Sequence, residues 1–96
     1  MKSIMQDEKK CYFCKNTQGL DVHHIFGAAN RDNSEKYGLK IYVCNNFTRN
    51  KCHKEIHEGV ETKELMEYLH REGQKAFERE WGTREDFMWL FRRNYL

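Results

Sequence analysis

Apolar positions along the chain change period as they go, and each change marks an element. Leu20-Asp21-Val22-His23-His24-Ile25-Phe26 alternates in part and carries enough β-branching to predict a strand. Leu39, Ile41 and Val43 alternate with other side chains up to Cys44, which predicts a return strand over 39–44. Gly27 to Lys36 lies between them, rich in Asn, Asp and Ser, and reads as a polar loop. After a polar link over 45–51, Cys52 to Glu58 reads as a short helix stopped by Gly59. Leu65, Leu69 and Phe77, with Met66 and Ala76, give a broken helical stripe over 61–81 that Gly73 weakens and Gly82 ends. Thr62 is its expected N-cap, with Glu61 and Glu64 near the positive end of the helix dipole. A last helix starts at Thr83, with Asp86 three residues on in a near relative of the capping box. Phe87, Met88, Leu90 and Phe91 supply its buried face. Residues 1–10 are charged and short of core side chains, as in a frayed lead-in.

Ninety-six residues make one domain, and a chain this small is marginal without a metal, a disulfide or a partner. With 39% apolar and 33% charged residues the core is small and draws heavily on six Phe, five Tyr and two Trp. No apolar run reaches the length of a membrane span, and the polar start lacks the apolar centre of a signal peptide. A reducing, cytoplasmic compartment is therefore expected, with free thiols favoured over two disulfides. The formal net charge of +2 falls close to zero once four thiolates and one dication are counted. Whole-chain charge thus does not announce a nucleic acid, and any such interaction must rest on local patches.

The chemistry sits in Cys11-x-x-Cys14, His23-His24, Cys44, Cys52-His53 and His57, eight ligand-type side chains within 47 positions. Cys11, Cys14, Cys44 and Cys52 satisfy four-coordinate zinc with no open position, as a structural site requires. The seven-residue spacing between Cys44 and Cys52 is long. His53 is the alternative fourth ligand, which would leave Cys52 spare, and buried free cysteines are the plain alternative. His53 and His57 lie one turn apart on one helical face and can chelate a single divalent ion. Adding one of the adjacent pair gives three protein ligands and open positions, the layout of a catalytic metal site. The other of the pair is then free as a general base near neutral pH. Taken singly, each histidine is as readily a satisfied surface side chain.

Over roughly residues 11–58 the chain resembles the HNH endonucleases, also called His-Me finger or ββα-metal nucleases. The zinc-knuckle form resembles phage and prophage enzymes, and the HH…HxxxH arrangement is similar to that of the colicin DNases. The resemblance implies a ββα-metal finger over 11–58 stapled by a four-cysteine zinc site, and with the helical extension read above over 61–96 the expected fold class is α+β in a single domain. It implies His24 as the base that activates water, and His23, His53 and His57 as ligands of a catalytic divalent ion, with Zn, Ni, Mn or Mg as candidates. DNA is the implied partner, cut to 5′-phosphates, and a bacterial host cell the implied setting. Arg31, Lys40, Arg49, Lys51 and Lys54 are the main basic candidates for phosphate contacts, each of which reads equally as solvated surface charge. The family usually sets an asparagine just ahead of the second strand to orient the base. No asparagine stands in that register here, so Asn33 or a backbone carbonyl is the expected substitute. The rival reading is a non-catalytic zinc-binding module that docks on DNA or protein, and a third is an inhibitor or adaptor on a nuclease scaffold. Size alone suggests a targeting partner such as packaging or recombination machinery; monomer and homodimer are equally compatible with the sequence.

Overall fold

A computed structural model describes residues 1–59 and 62–96. Strand β1 (Leu20–His24) and strand β2 (Lys40–Cys44) pair antiparallel, with Leu20 opposite Cys44, His23 opposite Ile41 and His24 opposite Lys40. Because strand side chains alternate, Asp21 and His23 share one face with Ile41 and Val43, while Val22 and His24 take the other. Helix α2 (Cys52–Glu58) lies against β2 and buries Ile56. Helices α3 (Thr62–Glu80) and α4 (Arg84–Phe91) follow, so the architecture is α+β as expected.

The connection over 27–36 is not a loop. A 3-10 turn at Ala28–Asn30 runs into helix α1 (Arg31–Tyr37), closed by Gly38 in the left-handed region at φ 72°. Seven polar-rich residues have little helical drive of their own, and tertiary contacts supply what propensity lacks. Ser34 is fully buried: its hydroxyl donates to the Phe26 carbonyl at 2.7 Å and accepts from the Phe26 amide at 3.0 Å. Asn30 and Asn33 donate through Nδ2 to the carbonyls of Phe91 and Leu90 at 3.2 and 3.1 Å, groups that a helix C-terminus leaves without partners.

The C-terminal helices complete the core rather than extend it. Phe26, at the exit of β1, packs against Phe87 and Phe91 at ring separations of 5.3 and 4.8 Å, and Phe77 meets Phe87 at 5.5 Å. Leu69, Ala76, Phe77, Phe87 and Phe91 are buried as the stripe predicts, whereas Met88, expected on the buried face, is exposed. The capping box at Thr83 and Asp86 is complete, with amide-to-side-chain bonds of 3.1 and 2.9 Å in the two directions. Thr62 departs from expectation: it lies within α3, and its hydroxyl bonds back to the carbonyls of Gly59 and Glu55. The proposed role of Glu61 lies outside the described residues.

Residues 1–10, expected to be frayed, run along the outer edge of β2. The Ile4 amide donates to the Gly38 carbonyl at 2.9 Å, Gln6 Oε1 accepts from the Tyr42 amide at 2.7 Å, and Ile4 and Met5 pack on the core. An edge strand with unpaired amides gains from such a cover, which the charged composition of the segment does not advertise. Among the described residues no helix is long and apolar enough to cross a membrane.

Candidate metal centre

Four sulfurs converge at one end of the strand pair. Cys11 and Cys14 flank a tight turn in which the Cys14 amide points at Cys11 Sγ (3.5 Å) and Lys15 takes a left-handed conformation. Cys44 ends β2 and Cys52 opens α2, its amide donating to Cys44 Sγ at 3.1 Å. The seven-residue link closes because Asn45 and Thr48 turn the chain with bonds to its own backbone, including the Phe47 amide to Asn45 Oδ1 at 2.9 Å. All four Sγ atoms lie within 4.8 Å of one another, and Cys14 Sγ is 3.8 Å from Cys44 Sγ. A tetrahedron with metal–sulfur arms of about 2.3 Å has edges of about 3.8 Å, whereas a disulfide needs about 2.05 Å. The donor set therefore fits one structural metal such as zinc, and Cys52 rather than His53 completes it. The neighbouring Asn50 side chain leads in drawing the Cys14 thiol down to about 6, while burial pushes Cys52 up. Thiols crowded this closely repel once ionised, and a cation relieves that.

A second cluster lies further along the same elements. One ligand nitrogen each from His23, His53 and His57 falls within 4.8 Å of the others. His53 Nε2 and His57 Nε2 are 3.2 Å apart, between the separations of about 3.0 and about 3.4 Å that right-angle and tetrahedral geometry give for metal–nitrogen bonds of about 2.1 Å. His23 forms the buried floor, and its Nε2 has no hydrogen-bond partner among the described residues. Such an orphan calls for a reason, and a metal ligand supplies one. Burial, reinforced by His53 and His57, lowers the His23 pKa to about 4, which keeps the imidazole neutral. His57 is exposed at the rim, so the cluster opens to solvent.

Two carboxylates that the spacing of ligands does not single out stand beside histidines, one at the cluster and one at His24. Asp21 lies 3.0 Å from His53 Nδ1, and Glu35 on α1 places Oε1 3.6 Å from His24 Nε2. His24 is thus not part of the converging set; it occupies the opposite strand face, with Glu35 as its neighbour. Asn33, expected to orient it, is committed to Leu90. Lys40 is likewise committed, since it bonds Glu35 and is the main cause of that carboxyl's lowered pKa. Arg31, Arg49, Lys51 and Lys54 are exposed, and none joins an ion pair among the described residues. The molecule is thus a small α+β domain that carries, among the described residues, one four-sulfur and one three-imidazole cluster. No protein-family model, curated protein or solved structure matches this chain.

Proposed function

We propose that the protein is a metal-dependent DNA endonuclease of HNH type that hydrolyses phosphodiester bonds. The observation that carries the reading is the convergence of His53 and His57 on the orphaned Nε2 of buried His23, beside a separate sulfur cluster. A closed four-thiolate site suits a structural zinc, and an open, solvent-facing imidazole set suits catalysis. His24 is the general base: its imidazole takes a proton from the water whose oxygen bonds to phosphorus as the P–O3′ bond breaks. Glu35 steadies that imidazole from α1. Arg49, Lys51 and Lys54 hold backbone phosphates beside the site. His23, His53 and His57 would hold a divalent ion, which would supply stabilisation of the charge that develops at the phosphate, and imidazole donors favour Zn, Ni or Mn over Mg.

The rival reading, a non-catalytic zinc-binding module, draws support from His24 standing apart from the triad. Cleavage of supercoiled plasmid separates the two. Zinc-loaded wild type is expected to nick or linearise DNA when a divalent ion is added. His24→Ala is expected to lose that activity while keeping its fold and its tightly held zinc. If neither protein cuts under Mg, Mn, Ni or Zn, yet both bind DNA or a partner, the module reading replaces the nuclease.

A further inference from the structure

We propose that Phe47 is a stacking platform for an unpaired base of a nucleic-acid strand, with Arg49, Lys51 and Lys54 tracking that strand's phosphates. The inference rests on the nucleic-acid reading above and adds the kind of substrate. Phe47 is 98% exposed, the most exposed large apolar side chain among the described residues. The loop that carries it is braced. Besides the Phe47 amide bond to Asn45 Oδ1, the Asn45 amide donates to the Gly19 carbonyl at 2.8 Å and the Lys51 amide to Thr48 Oγ1 at 3.2 Å. Its two ends are Cys44 and Cys52, both members of the sulfur cluster. The loop closes through Asn45 and Thr48, so its turn does not depend on burying the ring.

The surroundings say what such a ring meets. From Asn45 to Lys54 the chain has three cations and no carboxylate, and all three cations are exposed. The same loop leads directly into α2, which carries His53 and His57. An aromatic face beside unpaired cations matches a polyanion with π-faced bases. Stacking of this kind needs a base that is unpaired, as in a single strand, a gap or a flap.

Fluorescence anisotropy on zinc-loaded full chain without added divalent ion tests this, using a labelled oligo-dT strand and a perfect duplex of equal length. Phe47→Ala is expected to weaken oligo-dT binding by about ten-fold and duplex binding by no more than about two-fold, with Phe47→Trp restoring affinity. Arg49→Ala and Lys51→Ala are expected to weaken both ligands and to flatten the salt dependence. Unchanged oligo-dT affinity in Phe47→Ala, or full restoration by Phe47→Leu, overturns stacking. Failure of wild type to bind oligo-dT overturns it equally. Binding that depends on Phe47 in a chain that never cleaves DNA sinks the nuclease reading and leaves this one standing.

Discussion

Asp21 and His53 are joined by a 3.0 Å contact between a carboxylate oxygen and Nδ1, which makes the imidazole donate from that nitrogen and turns the Nε2 lone pair toward His23 and His57. A histidine fixed in this way is a better metal ligand, because its tautomer and ring orientation are set before the ion arrives. Loss of such an outer carboxylate typically costs about 10–100-fold in affinity. Asp21→Ala is therefore expected to weaken cobalt or nickel binding at the imidazole cluster by that factor, read by titration, with one zinc still held by the cysteines. Equal affinity in wild type and variant would show that the contact plays no part in ligation.

The sulfur cluster is expected to hold one zinc on which folding depends. Structural zinc contributes about 10–16 kcal/mol in small metal-dependent folds, comparable to or above the about 5–15 kcal/mol by which most domains are stable. Cys44→Ser removes the ligand that ends β2 and accepts the Cys52 amide, so the strand pair and α2 should come apart together. Native mass spectrometry should find one zinc in wild type. Circular dichroism should show melting lost or broadened after strong chelation. A chelator-resistant, cooperative transition with no bound metal would refute a structural role.

Much of this arrangement was legible from spacing. Two alternating runs and a six-residue CHxxxH run carried β1, β2 and α2, and Cys-x-x-Cys followed by two further cysteines carried the sulfur set. What escaped depends on contacts across the fold. α1 is held by Ser34, Asn30 and Asn33 through bonds to residues 8 to 61 positions away, and no local pattern encodes those. Glu35 was hidden with it, because a residue in a supposed loop has no predicted facing partner. Asp21 was readable in principle: it lies two positions before His23, and period-two alternation puts both on one strand face.

His70 gives a pH dependence whose sign can be stated. It stacks on Phe26 at 5.2 Å, and burial, helped by Arg93, lowers its pKa below the ordinary 6.5. Between the lowered folded value and 6.5 the unfolded chain binds more protons than the folded one, so stability falls as pH falls through that window. The nearby Ile25 backbone and Glu67 oppose the shift without cancelling it. Wild type should lose melting temperature relative to His70→Phe on going from pH 7.5 to 5.5 (roughly the span of histidine titration). Comparing the two proteins removes the shared acid sensitivity of the thiols and the other histidines. Parallel curves would mean that His70 titrates alike in both states.

Gly73 sits where α3 crosses the exit of β1, and two opposing effects decide what alanine would do there. In a helix interior alanine is favoured over glycine by about 1 kcal/mol, which on its own predicts a stabilised protein. A Cβ at this position would stand 2.8 Å from Ile25 Cγ2 and 3.1 Å from Phe26 Cε2. Both neighbours are buried, and Phe26 is pinned by Phe87, Phe91 and the Ser34 hydroxyl, so neither gives way cheaply. Overpacking of this kind costs about 1–3 kcal/mol and outweighs the helical gain. Gly73→Ala should lower the melting temperature by about 4–8 °C, the shift that a net loss near 1 kcal/mol produces in a domain of this size. An increase would mean that α3 can slide away from Phe26, and the close crossing would then be incidental to stability.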